Sequence, residues 1–181
     1  MRHLLRYASA SIFVLSIFVL SSASSVPAQF IEAGVVRLEK PIPAPDFTLK
    51  ALEMRKISFK DLEGKVVLLN FFSPYCPVCQ KEASSFDRLD EAIKNKELAI
   101  LFIASDAKER DLVEFKDKYH ISLPILEDEN GKIAKAYGVW GHHETFFINR
   151  KGKIVGKAFW EKDWTSKNMI NFLKYLLSQD K

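Results

Sequence analysis

The 181-residue chain is 48% hydrophobic and 28% charged, enough apolar material for one domain with its own core. Its formal net charge of +4 is weak and no basic run is interleaved with aromatics, which excludes a nucleic-acid surface. Its two cysteines are separated by two residues, so a structural disulfide cannot coexist with a free thiol pair.

The chain opens on a short basic stretch with Arg2 and Arg6, followed by an apolar run over residues 8–20 broken only by Ser9, Ser11 and Ser16. Small residues cluster over 21–25. This is the pattern of a secretory signal, with cleavage expected after Ala23 or Ala28. The apolar run falls short of the roughly 20 residues of a membrane span, and no cysteine stands nearby to carry a lipid. Residues 1–28 are therefore read as a signal peptide, with an uncleaved N-terminal membrane anchor as the alternative. Either way the remainder lies outside the cytoplasm, in the periplasm or an equivalent compartment. Loss of 1–28 removes Arg2 and Arg6 and no acid, so the net charge falls to +2.

Residues 29–45 read as a linker, because the alternating Pro41, Pro43 and Pro45 favour extended chain. The domain is expected over 46–181. Residues 46–49 and 57–59 alternate like short edge strands, and 61–64 form a turn. Residues 65–72 are a continuous apolar run, as in a strand covered on both faces. Helical spacing of Ala83, Phe86, Leu89 and Ile93 predicts a helix over 77–95. A second apolar strand over 98–104 completes a βαβ unit.

A second amphipathic helix over 108–119 follows, then a short strand at 123–126, a turn at 128–131 and a short helix at 133–137. Strands at 145–148 and 153–159 form a hairpin through Asn149-Arg150-Lys151-Gly152. Thr165 or Ser166 caps a last helix with Met169, Leu173, Leu176 and Leu177 on its apolar stripe. The class is α/β: a pair of edge strands, a βαβ unit, a helical insertion, a β-hairpin and a C-terminal helix.

Cys76 and Cys79 sit where the first buried strand meets its helix. The attacking species in disulfide exchange is the thiolate, and a free thiol with a pKa of about 8.5 supplies little of it at neutral pH. A helix N-terminus offers unpaired N–H groups and partial positive charge to a sulfur anion. Cys76 is the expected exposed nucleophile, and Cys79, one turn in, the resolving thiol. Pro77 fits the first turn, where its missing N–H costs no bond. A zinc half-site or inert core thiols are the other readings, but zinc would need two further ligands and there is no second cysteine pair. Glu82, three residues beyond Cys79, shares its helix face.

The chain resembles the TlpA/ResA-like family of exported thioredoxin-like proteins. The resemblance rests on Ala44-Pro45-Asp46-Phe47-Thr48-Leu49, Gly64-Lys65-Val66-Val67-Leu68-Leu69-Asn70-Phe71, Cys76-Pro77-Val78-Cys79-Gln80-Lys81-Glu82, Tyr137-Gly138-Val139, Thr145-Phe146-Phe147-Ile148 and Asp163-Trp164, and it covers roughly residues 42–178. It implies a thioredoxin fold over 46–181 and thiol–disulfide exchange with protein disulfides or dithiols, without a cofactor. In the family the direction is more often reductive, as in cytochrome c maturation, with electrons from a membrane partner. It also implies that Glu82 lies close to the cysteines and handles the Cys79 proton. Asn70 stands where many thioredoxins carry a buried aspartate, and Tyr75 replaces the tryptophan usual before the first cysteine.

The departure is at Gly141-His142-His143-Glu144-Thr145, where the family has a cis-proline at the place of His143. A cis bond without proline costs roughly 2.5–4 kcal/mol, so a trans loop of another shape is expected. His142, His143 and Glu144 are the candidate substrate loop. Imidazoles beside two thiols open a second reading, a copper-binding or copper-delivery module using Cys76, Cys79 and a loop histidine. Sco-like copper proteins have this fold with cysteines spaced by three residues. A third reading is a thiol peroxidase, since Ser73 precedes Cys76 by three residues. That chemistry needs an arginine over the sulfur, and Arg88, Arg110 and Arg150 hold no recognisable position for it.

Overall fold

The computed structural model describes residues 26–141 and 143–179. The signal or anchor segment, apart from its last three residues, and His142 lie outside the described residues. The described elements in chain order are α1 (Ala28–Glu32), β1 (Val36–Pro43), β2 (Thr48–Ala51), β3 (Lys56–Ser58), β4 (Val66–Phe72), α2 (Pro77–Ile93) and β5 (Leu98–Ala104). They continue with α3 (Glu109–Lys118), β6 (Ile125–Glu127), α4 (Lys132–Ala136), β7 (Glu144–Ile148), β8 (Lys153–Ala158) and α5 (Lys167–Ser178). The strands form one sheet in the order β1-β8-β7-β4-β5-β6-β2-β3. The β4-α2-β5 unit, the β7-β8 hairpin and α5 make the thioredoxin fold.

Every residue of β4 is buried, as its unbroken apolar run requires. Side chains alternate across the sheet. Val66, Leu68 and Phe72 join a core built with Phe86 and Leu89 of α2 and Phe172 and Leu173 of α5. Val67, Leu69 and Phe71 join a second core with Ile133, Tyr137, Phe146 and Ile148 on the other face. β5 runs parallel beside β4 with Val66 opposite Leu98, and β7 runs antiparallel on its other side with Phe71 opposite Glu144. Ser166 caps α5, its hydroxyl accepting the Met169 N–H at 3.3 Å.

The stretch expected as a linker, 29–45, is folded. Phe30 of α1 is buried and packs edge-on against Phe172 of α5 with ring centroids 4.7 Å apart. β1 pairs antiparallel with β8, Val36 opposite Lys157 and Pro43 opposite Lys153. Pro41 and Pro43 fit because β1 is an edge strand, where a missing N–H need break no ladder bond, and the register shift between Arg37 and Ile42 absorbs the rest. The sequence hid both elements: β1 is almost wholly exposed, so it lacks an apolar alternation, and α1 is too short to show a period. β3 forms the opposite edge, while β2 is bridged to β6 on its inner side.

Gly156 of β8 marks where this N-terminal segment presses on the sheet. A Cβ there would stand 2.8 Å from Val35 Cγ1, 3.1 Å from Phe30 Cε1 and 3.1 Å from the Val36 carbonyl oxygen. Gly156→Ala is therefore expected to destabilise by the roughly 1–3 kcal/mol of an overpacked core, lowering the melting temperature by about 2–10 °C. Thermal unfolding followed by circular dichroism measures this, and an unchanged midpoint would mean that α1 and β1 do not pack on β8.

Candidate active site

β4 ends at Phe72, and the turn Ser73-Pro74-Tyr75 delivers Cys76 to the N-cap of α2 with Pro77 in the first helical turn. The turn is fixed by its own polar groups. The Cys76 N–H donates to the Ser73 carbonyl at 3.1 Å, the Tyr75 N–H to Ser73 Oγ at 3.3 Å and Gln80 Nε2 to the Pro74 carbonyl at 2.8 Å. Cys76 Sγ accepts the Cys79 N–H at 3.4 Å, so one of the orphan donors of the helix start points at the sulfur. Cys76 is half-buried and Cys79 buried, and both are free thiols. Burial pushes the Cys79 thiol well above its ordinary range, helped by its hydrogen bond with Cys76 and opposed by a backbone bond at Ser73, with the charge of Glu82 adding a little. The two thiols thus differ in access, and the buried one gives up its proton reluctantly.

Glu82 is buried on the same helix face, 5% exposed. Its Oε1 accepts the backbone N–H of Lys162, in the segment between β8 and α5. Burial raises its carboxyl pKa, while the Lys162 N–H holds it back. Trp164 is itself buried against Phe86, ring centroids 4.3 Å apart. Asp163-Trp164 is a visible motif, but the contact that the neighbouring Lys162 makes with Glu82 is not, because a backbone amide carries no residue signature.

His143 comes over the cysteines. Its Nδ1 lies 3.6 Å from Cys76 Sγ, and its backbone N–H donates to the Phe71 carbonyl at 2.7 Å, one step beyond the β7–β4 pairing. Its φ of +64° is left-handed. Glu144 is buried and folds back on the loop, its Oε1 accepting the Trp140 N–H at 2.8 Å and the Gly141 N–H at 3.2 Å. Of the expected substrate loop, His143 therefore reaches the sulfur, and Glu144 braces the backbone that carries it. The ligand atoms of Cys76, Cys79 and His143 all lie within 4.8 Å of one another.

The remaining candidates take structural places. Asn70 is buried and donates from Nδ2 to Thr145 Oγ1 at 2.8 Å, tying β4 to β7. Tyr75 is largely exposed, and its hydroxyl donates to Asp111 Oδ2 at 2.5 Å, tethering the cysteine turn to α3. Arg88 donates to Ser84, Arg110 to Asp111, and Arg150 to Gly64, Glu97 and Leu177. Those bonds engage none of the three arginines with Cys76. An open depression of about 500 Å³ adjoins the site, lined by Phe71, Phe72, Ser105, Lys135, Trp140 and Gly141 among others.

Comparison with known proteins gives the same reading. The model of the AhpC/TSA family matches residues 42–157. Thiol-disulfide oxidoreductase ResA of Bacillus thuringiensis subsp. konkukian is 35% identical over 133 residues, covering 72% of this chain and 75% of its own. A secreted disulfide oxidoreductase of Mycobacterium tuberculosis superposes with a TM-score of 0.63 at 25% identity, over 72% of this chain and 96% of that one. A thiol:disulfide interchange protein of the thioredoxin family from Chlorobium tepidum shares the fold with a TM-score of 0.69 at 19% identity, over 77% and 99%. The chain belongs to the AhpC/TSA family and, within it, to the TlpA/ResA-like thiol–disulfide oxidoreductases.

Proposed function

We propose that this oxidoreductase reduces disulfides of partner proteins outside the cytoplasm through Cys76 and Cys79, with residues 1–28 directing export or anchoring it. The observation that carries the reading is the asymmetry of the pair: an accessible sulfur at the N-cap of α2, and a buried thiol one turn in with a buried carboxyl on its face. The Cys76 thiolate attacks one sulfur of the partner disulfide, forming a mixed disulfide and expelling the partner's first thiolate. Cys79 then gives up its proton, with Glu82 as the acceptor, and attacks Cys76 Sγ. The Cys76–Cys79 bond forms, the partner's second thiolate leaves, and two electrons have passed to the partner.

A second dithiol protein, with a membrane donor as its electron source, returns the pair to the reduced state. The reductive direction and a role such as cytochrome c maturation follow the family resemblance, and export follows the apolar segment at 8–20 together with the secreted relative. The partner's chain is taken by the loop of His143 and Glu144 and the depression beside Trp140. Trp140 is almost fully exposed there, and so offers apolar area to a docked segment.

Two sets of variants test the mechanism. With insulin as the disulfide substrate, Cys76→Ser is expected to fall to the uncatalysed background, and Cys79→Ser to accumulate a mixed disulfide visible on a non-reducing gel. Exchange retained by Cys76→Ser would assign the attack to the wrong sulfur.

Glu82→Gln tests the proton acceptor. Because the folded-state pKa of Glu82 is raised, the fold favours its protonated form. That contribution is present below about pH 4.3 and is lost as pH rises through the raised value. At neutral pH the ionised carboxylate thus opposes folding, and Gln still offers an oxygen to the Lys162 N–H. Glu82→Gln should melt higher than wild type at pH 8, by an amount that shrinks towards pH 4. Its mixed disulfide should resolve roughly 10²-fold more slowly, the size of a lost general base. Wild-type resolution kinetics in this variant would remove Glu82 from the mechanism.

A further inference from the structure

Among the described residues one cluster of metal-ligating side chains stands together, Cys76, Cys79 and His143. Its three donor atoms come from two segments that the sheet brings to one place. The thiols lie at the N-cap and in the first turn of α2, and the imidazole comes from the loop before β7. The loop is built to hold that position: the His143 N–H is bonded to the Phe71 carbonyl, and the buried Glu144 carboxylate takes two loop amides. An ion bound by two thiolates and one imidazole, with bonds of about 2.0–2.3 Å, spaces its donors roughly 3.5–4 Å apart. Cys76 Sγ and His143 Nδ1 already stand 3.6 Å apart, and no donor pair in the cluster exceeds 4.8 Å.

We propose that the reduced pair and His143 Nδ1 form a three-coordinate site for Cu(I). Two soft thiolates with one imidazole select a soft ion. The cluster supplies three donors and no fourth cysteine, histidine or carboxylate among the described residues. A structural Zn(II) site closes with four ligands, whereas Cu(I) is content with three. Cys79 is buried and Cys76 half-exposed, so the ion enters from the Cys76 side.

Binding converts two thiols to two thiolates, releases two protons and moves no electron. The site requires the dithiol and asks nothing else of disulfide exchange. When the pair passes its two electrons to a partner disulfide and becomes Cys76–Cys79, two of the three donors are lost and the ion is released. Copper occupancy and exchange are then mutually exclusive states of the same two sulfurs.

The test is an anaerobic titration of the reduced full chain with Cu(I) against the chromophoric chelator bicinchoninate, with Zn(II) in a parallel competition. One Cu(I) per chain is expected, with none bound by the disulfide form. His143→Ala should weaken binding at least tenfold while its copper-free melting temperature shows that it remains folded. X-ray absorption at the copper edge should give two sulfur neighbours and one nitrogen in wild type, with the nitrogen lost in His143→Ala. Equal affinity in wild type and His143→Ala, displacement of copper by equimolar Zn(II), or no stoichiometric copper in wild type would each overturn the proposal.

Discussion

The pairing of β4 with its two neighbours is the constraint on which the rest depends. β5 beside it closes the βαβ unit and so fixes the start of α2, where Cys76 sits. β7 on its other side brings in the loop of His143. The Phe71 carbonyl, one residue from the end of β4, accepts the His143 N–H at 2.7 Å. The cysteine turn and the loop that covers it therefore hang from the same few residues. A slip of one residue between β4 and β7 would turn every side chain of β7 to the other face and carry His143 away from the sulfur. Asn70 guards against that slip, since its amide is bonded to the directly opposed Thr145. An aspartate in that place would put a charge into a buried site, and the amide satisfies Thr145 without one.

The site is polar at its centre and held by apolar packing at its rim. Glu82 is kept in a region that disfavours its charge, against the Lys162 amide. Such a carboxyl weakens the fold at neutral pH, and a buried carboxyl on the helix face of a thiol pair is a candidate for the chemistry of the site. Cys79 poses the complementary need: its buried thiol gives up a proton reluctantly, and the resolving step proposed for it cannot run until it does. In the proposed mechanism the carboxyl on the same helix face takes that proton, and its raised pKa makes it a better acceptor than an ordinary carboxylate.

What the sequence displayed and what it concealed divide along physical lines. β4 and β5 are continuous apolar runs, α2, α3 and α5 repeat at the helical period, and Cys76-Pro77-Val78-Cys79 sits at a strand–helix junction, so each can be read from neighbours in the chain. α1 and β1 could not be, because a five-residue helix has no period and an exposed edge strand has no buried face. The contact between Cys76 and His143 joins positions 67 apart and exists only once β7 has paired with β4. Glu144 looked like a loop residue open to substrate; that its carboxylate folds back onto the Trp140 and Gly141 amides is decided by backbone geometry that no side-chain pattern records.

A histidine where the family resemblance leads one to expect a proline is more than a change of side chain. Residue 143 has a φ of +64°, and the proline ring holds φ near −65°. Its N–H is also spent on the Phe71 carbonyl, a bond that proline cannot donate. Proline at 143 would thus lose the hydrogen bond that ends the β7–β4 ladder and force the backbone out of the left-handed region, and the Glu144 carboxylate would no longer find the Trp140 and Gly141 amides where they are. The loop, its brace and the imidazole over Cys76 form one arrangement. A backbone donor has been taken up into the sheet, and the same step delivers an imidazole nitrogen to within 3.6 Å of Cys76 Sγ.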